Sequence, residues 1–202
     1  MKQIESYEVY TDQTFKNAHL DQVTLESVEF YDCLFSNCSF LETVFQRCRF
    51  SNCIFRDCDL GLMQVPDSRF VMTSFEKSRL IGVNWTLADW PATGFSQALA
   101  FNSCVLNHGT FIGLKMKEGT FLDCILVEVD FREADLTKAN FSGSDLDRSL
   151  FSDTILKKAD LSRARNYDIA PGRNELAGAK FSLPEAMSLL YNLDIKLVEP
   201  GE

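Results

Sequence analysis

The hydrophobic positions of this chain recur with a period of five. Between Phe131 and Leu161 a bulky apolar residue stands at every fifth position, a small residue stands two positions before it, and Asp or Asn often directly precedes it. The bulky residues of this stretch are Phe131, Leu136, Phe141, Leu146, Phe151, Leu156 and Leu161. A period of five fits neither an α-helix nor a β-strand. The five-residue unit itself is therefore predicted to be the structural element that stacks on its neighbours.

This register covers most of the chain in two frames. The first frame runs on multiples of five from Phe15 to Phe95, and the second runs from Phe101 to Leu161. If four units form one coil, residues twenty positions apart stack on one another. The expected aromatic column then consists of Phe15, Phe35, Phe55, Phe75 and Phe95. The spacing of six between Phe95 and Phe101 predicts a one-residue bulge, which is either a tolerated irregularity or a feature that re-aims the surface.

The repeated order of a small residue, Asp or Asn, and a central Leu or Phe resembles the pentapeptide-repeat family. The resemblance implies an all-β solenoid, a right-handed quadrilateral β-helix with five residues on each side. The central and small residues would point inward, and the other three positions would face water. A left-handed hexapeptide β-helix would require a period of six and an aliphatic-Gly signature, and the sequence has neither.

Both ends of the chain depart from the pattern. Residues 1–10 lack it and are expected to cap the first coil, because an open solenoid end exposes unpaired backbone groups. The β-helix is expected over residues 11–165, and residues 166–202 are expected to form a connector followed by a C-terminal helix. Ser182 and Glu185 have the spacing of a capping box, and the apolar positions that follow predict a helix from about Leu183 to Asn192.

The cysteines and histidines do not predict a catalytic, cofactor or metal site. The cysteines occupy the small inward position, where buried and reduced thiols are expected, and a spacing of five turns successive thiols to different sides rather than toward one zinc ion. They are Cys33, Cys38, Cys48, Cys53, Cys58, Cys104 and Cys124. His19 and His108 lie far apart in the sequence with no nucleophile placed beside them, so we do not expect an enzyme.

The charge of the chain indicates the class of partner. A formal net charge of −9 argues against direct binding of nucleic acid, which requires clustered Lys and Arg. The first residues contain acids and no apolar run, and no stretch is apolar enough to span a bilayer, so we expect a cytoplasmic protein without a membrane partner. The candidate acidic binding surface in the second frame consists of Asp123, Glu128, Asp130, Glu133, Asp135, Asp145 and Asp147. A purely structural explanation is also open, because Asp before the central residue belongs to the repeat.

The two frames together with the segment from Asn166 onward resemble the Qnr, MfpA and AlbG group of pentapeptide-repeat proteins. This resemblance implies a non-enzymatic acidic rod that binds a type II topoisomerase, DNA gyrase or topoisomerase IV, as a DNA mimic and modulates it or protects it from quinolones or toxins. It also implies a homodimer closed by the C-terminal helix. The apolar face of that helix predicts an interface made of Leu183, Met187, Leu190 and Leu193.

One departure from this group and one alternative remain. Plasmid-borne Qnr proteins project two loops from the shaft, and no insertion of that size is recognisable in the sequence. The alternative function is a protein–protein interaction scaffold with an unrelated partner. Outward apolar residues would serve such a scaffold, for example Leu34, Leu41, Val44, Ile54 and Leu122.

Overall fold

A computed structural model describes residues 4–91, 99–193, 195 and 198. The chain forms a β-solenoid of about eight turns followed by one short C-terminal helix. Successive coils are joined in parallel and in register, as in the pairing of Phe15 with Phe35 and of Phe35 with Phe55. The predicted quadrilateral β-helix is confirmed.

The strands are two to four residues long. They are β1 Val9–Thr11, β2 Thr14–Lys16, β3 Thr24–Glu26, β4 Glu29–Tyr31, β5 Leu34–Ser36, β6 Val44–Gln46, β7 Arg49–Ser51, β8 Ile54–Arg56, β9 Arg69–Val71, β10 Thr73–Glu76, β11 Leu99–Asn102, β12 Thr120–Leu122, β13 Asp160–Leu161 and β14 Lys180–Phe181. Single 3₁₀ turns cover Trp85–Leu87, Pro171–Arg173 and Glu185–Met187, and the α-helix α1 covers Ser188–Tyr191.

We number the four sides of the shaft by their central residues. Side 1 contains β2, β5, β8, β10, β11 and β12, and side 4 contains β1, β4, β7 and β9. Side 3 contains β3 and β6, whereas the described coils of side 2 meet only through isolated bridges such as His19 to Ser39. The central residues of side 2 are Leu20, Phe40, Leu60, Leu80, Leu106, Leu126 and Leu146, and those of side 3 are Leu25, Phe45, Val65, Trp85, Phe111, Phe131 and Phe151.

Stacked aromatic rings fill the centre of the shaft. On side 1 the ring centroids of Phe35 and Phe55 lie 4.4 Å apart, and those of Phe55 and Phe75 lie 5.0 Å apart, with nearly parallel planes. Rings on opposite sides meet edge to face across the interior, as Phe121 and Phe131 do. Offset and edge-to-face arrangements are the favourable geometries for aromatic pairs, so Phe is suited to both directions of contact.

The small inward position ties neighbouring coils together. The Ser144 hydroxyl donates to the carbonyl of Phe121 and accepts the backbone N–H of Cys124 at 2.8 Å, so it satisfies two buried groups of the preceding coil. Thiols take the same place, and Sγ of Cys53 lies 3.5 Å from the carbonyl oxygen of Phe30. All seven cysteines are buried and unpaired, as the sequence predicts. Small residues recur here because the side chain must fit beside the central one and still reach the backbone.

The second residue after each central one turns the corner in the left-handed region of backbone conformation. Asp12, Asn17 and Asp32 have φ values of 53°, 51° and 54°. Asn and Asp tolerate this region better than most L-residues, and Gly tolerates it best. Gly143, with a φ of 74°, also leaves room for the Asp123 carboxylate, because a Cβ added there would lie 2.0 Å from Oδ1 of Asp123 unless that side chain moved.

The predicted one-residue bulge is wrong, because the shift between the two frames is an insertion of six residues. Asp89 still bonds to Ser68 and the Trp90 ring still stacks on Phe70, so the twenty-residue spacing holds up to that point. The aromatic column of side 1 then continues from Phe75 to Phe101, twenty-six positions on, with centroids 5.2 Å apart. The column therefore does not require Phe95, which lies outside the described residues. The chain thus does contain an insertion, between Trp90 on side 4 and Phe101 on side 1.

The C-terminal helix is shorter than predicted and lacks the predicted capping box. Only α1 and the 3₁₀ turn before it are helical, and Pro184 rather than Ser182 stands at the start of that turn. The side chains expected to form the box bind the last coil instead. Oγ of Ser182 accepts the N–H of Arg163 at 3.1 Å, and Oε1 of Glu185 accepts the N–H of Asn166 at 2.6 Å.

Coil pairing extends into both end segments. At the first end, β1 pairs with β4, and Tyr10 is a buried central residue of side 4. At the other end, the pairing continues beyond residue 165, because β14 pairs with β13 and brings Phe181 over Leu161. Part of the segment expected as a connector is thus a further partial coil.

Candidate interaction surfaces

The aspartates just before the central residues have a structural task. Oδ1 of Asp130 accepts the backbone N–H of Arg132 at 3.1 Å, and Oδ1 of Asp135 accepts that of Thr137 at the same distance. Asp145 does the same for the N–H of Asp147 at 3.2 Å. Asp and Asn side chains commonly close turns in this way. These three members of the predicted acidic surface are therefore explained first by the turns they close.

Most of the predicted acidic surface is also neutralised locally. Asp130 pairs with Arg132 at 2.7 Å, and Asp135 pairs with Lys117 at 3.3 Å. The remaining ion pairs are Asp145 with Arg165, Asp147 with Arg148, and Glu128 with both Arg148 and His108. Within the described part of the chain, Asp123 and Glu133 take part in no ion pair.

Two of these aspartates have a pKa below the usual value. Burial by itself raises the pKa of Asp145, but the hydrogen bonds from Asn166 and the N–H of Asp147, together with Arg165, outweigh it. Burial likewise opposes ionisation of Asp135, and the hydrogen bonds from Thr137 and the ammonium group of Lys117 again prevail. Both carboxylates are therefore ionised at neutral pH.

The structure distributes the predicted acidic residues over all four sides of the shaft. Asp123 lies on side 1 and Asp135 on side 4, while Asp130 and Glu133 lie on side 3. The largest group on one side is Glu128, Asp145 and Asp147, which lie on side 2. The charged residues of side 2 are Asp21, Glu42, Asp59, Glu128, Asp145, Asp147 and Asp168 against Arg79, Arg148 and Arg165. Side 2 is thus strongly acidic.

Side 4 differs because its charges nearly balance. Its acidic residues are Glu8, Asp12, Glu29, Asp32, Asp89, Glu118, Asp135 and Glu175, and its basic residues are Arg49, Arg69, Lys115, Lys117, Lys138, Lys157 and Lys158. The net charge of the shaft is therefore concentrated on side 2 and, to a smaller extent, on side 3. The acidic residues along the shaft that the sequence shows include Asp21 and Glu42, but the predicted surface contained neither these two nor Asp168. They share a side with Glu128, Asp145 and Asp147 only once positions along one side are aligned.

The C-terminal segment exposes a group of apolar side chains. Of the four predicted interface residues, Leu183, Met187 and Leu193 are exposed, with Leu183 exposed to 78%, and Leu190 is half-buried. Tyr191 and Ile195 are also exposed. The segment is held to the last coil, since Asn192 Nδ2 donates to Oδ1 of Asp168 at 2.9 Å and the Tyr167 ring packs on Phe181. Burial raises the pKa of Tyr167 to about 12.

The described residues contain little that could carry chemistry. Burial raises the pKa of Cys48 to about 11 and that of Cys53 to about 12, so both thiols are protonated and unreactive at neutral pH. No group of three or more His, Cys, Asp or Glu side chains in residues 4–91 and 99–193 is placed to hold a metal ion. Over the same ranges, none of the helices has the length and apolar character needed to cross a membrane.

A family model described as "Pentapeptide repeat region" matches residues 28–98 and 92–161. The chain belongs to the pentapeptide-repeat family. No curated protein matches the sequence. Among solved structures, a trypsin-treated variant of QnrB1, described as a plasmid-mediated fluoroquinolone resistance protein, is similar with a TM-score of 0.71 and 16% identity. That match covers 97% of this chain and 100% of the QnrB1 chain.

A second pentapeptide-repeat structure, a different trypsin-treated variant of QnrB1, gives a TM-score of 0.64 at 16% identity. It covers 92% of this chain and 100% of that chain. At such identities the likeness establishes the pentapeptide-repeat fold.

Proposed function

We propose that this pentapeptide-repeat protein is a non-enzymatic acidic rod that binds DNA gyrase or topoisomerase IV as a DNA mimic and modulates the enzyme or protects it from quinolones or toxins. The observation that carries the proposal is the likeness of fold to a fluoroquinolone resistance protein along nearly the whole chain. The acidic character of side 2 supports it, because an enzyme surface that binds DNA is basic and attracts carboxylates.

The charge on side 2 limits where mimicry can occur. About eight coils spaced by about 4.8 Å give a shaft of about 38 Å, over which duplex DNA carries about 22 charges. The whole chain has a net charge of −9, so one protomer reproduces the DNA charge only in part. Because many of the acidic residues lie on one side, the density of negative charge on that side is higher than the net charge of the whole chain suggests. Joining two shafts end to end would lengthen this charged surface.

We therefore propose a homodimer closed by the C-terminal segment. Leu183, Met187 and Leu193 are exposed at the end of the shaft, where a second copy would cover them, and Leu190 would contribute its accessible edge. Two-fold dimers are the commonest oligomers of soluble proteins. Two shafts placed end to end would extend over about 76 Å, twice the length estimated for one.

The first experiment measures DNA supercoiling by the host's gyrase, relaxation by topoisomerase IV, and quinolone-stabilised cleavage by both enzymes, with increasing amounts of the purified protein. We expect inhibition of catalysis or a reduction in cleavage, and we expect the effect to weaken with salt because exposed charges are screened. If the folded protein in large excess at low salt leaves all three reactions unchanged, the proposal is wrong.

A pair of matched variants tests the acidic side. Glu128→Gln, Asp145→Asn and Asp147→Asn remove three charges from side 2 while keeping the acceptor with which residue 145 closes its turn. Glu118→Gln, Asp135→Asn and Glu175→Gln remove three charges from side 4. We expect the side 2 variant to need a higher concentration for the same effect and the side 4 variant to behave like the unaltered protein. Equal losses in both variants would mean that only the total charge matters.

The oligomeric state is tested by light scattering at micromolar concentrations. We expect a dimer for the unaltered protein and a monomer for Leu183→Asp combined with Met187→Asp, because a buried unpaired charge is costly at an apolar interface. Leu150→Asp, which alters an exposed residue on the shaft, is the control and should remain dimeric. A monomeric unaltered protein would show that the segment only covers the end of the shaft.

A further inference from the structure

Side 2 carries apolar side chains in each of five successive coils between its acidic ends. We call this row the apolar strip, and it consists of Leu41, Leu62, Ile81, Val105, Ile125 and Val127. Its members follow five successive coils, in which Val105 pairs directly with Ile125. Leu41, Leu62 and Ile125 are exposed to 37%, 51% and 41%. At about 4.8 Å per coil the strip is about 20 Å long.

Glycines beside the strip allow its leucines to lie flat on the shaft. A Cβ added at Gly82 would come within 2.6 Å of Cδ2 of Leu62, and one added at Gly61 would come within 3.1 Å of Cδ1 of Leu41. Each leucine therefore occupies the space that a side chain in the next coil would fill. The result is a level apolar surface instead of isolated projecting side chains.

Acidic residues border the strip at both ends. Asp21 and Glu42 lie at the end nearer the first coil, and Glu128, Asp145 and Asp147 lie at the other end. At the edge of the strip, Arg79 is paired with Asp59 at 3.5 Å, so its charge is locally balanced. The charge pattern along side 2 is therefore negative, apolar and negative.

The other sides carry ion pairs at the same height of the shaft. On side 1 the guanidinium of Arg56 binds Glu76 at 2.8 Å, and on side 4 Arg69 binds Asp89. Single exposed apolar residues are normal on a protein surface, and Met72 on side 4 and Leu150 on side 3 are examples. The strip differs from them because its members recur in successive coils and because carboxylates outnumber cations at its border, where Arg148 and Arg165 are the basic residues among Glu128, Asp145, Asp147 and Asp168.

We propose that the apolar strip is the centre of the contact with the topoisomerase, and that it takes a protein surface with an aliphatic centre flanked by Lys or Arg residues on both sides. This inference rests on the function proposed above and adds the chemistry of the contact. Interfaces commonly bury an apolar centre inside a charged rim, and most of the binding energy arises in that centre.

The charged border excludes the other kinds of occupant. Nucleic acid and an anionic membrane surface would both be repelled by the carboxylates at the two ends of the strip. A second copy of the chain would set acidic ends against acidic ends in either orientation. A basic protein surface with an aliphatic centre is the occupant that complements both the apolar and the charged parts.

The test uses Asn substitutions that suit the backbone at each position. Leu62 has a φ of 55°, which Asn tolerates, and Ile125 precedes a central residue, where Asn and Asp recur in the repeat. Met72→Asn and Leu150→Asn are matched controls, since Met72 has a φ of 48° and Leu150 precedes a central residue. None of these changes alters the charge of the protein.

Binding of each variant to purified gyrase and topoisomerase IV of the host is measured by surface plasmon resonance, alongside the melting temperature. Leu62→Asn combined with Ile125→Asn should weaken binding about tenfold or more, because it leaves polar groups in a dry apolar contact. The control pair should bind as the unaltered protein does. If the unaltered protein binds neither enzyme, the proposed function itself fails. If it binds, and the strip variants keep full affinity or lose no more than the controls, the strip is not the contact and only this inference is overturned.

Discussion

The two halves of the shaft share one period but close their turns differently. In residues 9–76 strands of three or four residues form on sides 1, 3 and 4, and the coils are held mainly by ladder hydrogen bonds. In residues 105–160 most units meet through single bridges, as Asp130 and Leu150 do. There the side chains of Asp130, Asn140 and Asp160 accept backbone N–H groups of their own turns.

This difference shows that much of the acidity of the second half arises from the repeat itself. A carboxylate that closes a turn is retained for stability, whatever the protein binds. Evidence for a binding surface therefore comes from carboxylates without that task, such as Glu42 and Glu128 on side 2. The following substitutions distinguish the interactions that stabilise both halves from the interactions that differ between them.

The largest effect should be common to both halves. Phe55→Ala removes a ring stacked on Phe35 at 4.4 Å, and Phe141→Ala removes one stacked on Phe121 at 4.8 Å. Each should lower the free energy of unfolding by about 3–5 kcal/mol, as measured by denaturant titration. Ser142→Ala, beside Phe141, is the control and should change it little. Similar losses for Phe141→Ala and Ser142→Ala would show that the register is wrong.

A smaller effect should arise at the small inward position. Ser144→Ala leaves the N–H of Cys124 and the carbonyl of Phe121 without their side-chain partner, which should cost about 1–3 kcal/mol. Ser144→Cys introduces the residue type that is common at this position in the first half. It should reduce the free energy of unfolding less than Ser144→Ala does, because the thiol can still donate a hydrogen bond. If the Cys variant is less stable than the Ala variant, the hydrogen bond is not what the position requires.

A still smaller effect should distinguish turn closure from charge. Asp130→Ala removes the acceptor for the N–H of Arg132 and should cost about 0.5–1.5 kcal/mol, whereas Asp130→Asn keeps the acceptor and should cost less. Asp147→Ala is a control, because Asp147 pairs with Arg148 and closes no turn by its side chain. Equal costs for Asp130→Ala and Asp130→Asn would assign the effect to the charge.

The smallest effect should appear in acid. Hydrogen bonds from Ser162, and then Lys180, hold the pKa of Asp160 below its usual value in the folded protein, and Asp135 and Asp145 are also lowered. Their stabilisation is present above the unfolded-state pKa of about 4 and is lost as the pH falls through the lower folded-state values. The melting temperature should therefore fall below about pH 4. A variant with Asn at all three positions should show a shallower fall, and an unchanged slope would contradict the assignment.

The register could be predicted from the sequence because the bulky central residue and the small residue two positions before it both point into the core and recur every five residues. It could not give the size of the insertion, because a shift of one residue and an insertion of six leave the same phase in a period of five. Which first-half residues share a side with Glu128 or Asp145 depends on that size. The predicted acidic residues themselves all follow the insertion, and their own spacing distributes them over the four sides. The capping box failed because Ser182 and Glu185 bind the N–H groups of Arg163 and Asn166 in the last coil.

The continuity of the side 1 column across the insertion has a consequence for how such a protein can change. Phe75 and Phe101 stack at 5.2 Å, close to the 5.0 Å between Phe55 and Phe75, so the added residues enter without altering the rise of the core. Lengthening a segment between fixed ends costs little, since the entropy of closure grows only with the logarithm of its length. The length and sequence of the inserted segment can therefore change during evolution without changes in the core. For the same reason a foreign peptide could be grafted between Trp90 and Phe101 in a designed variant.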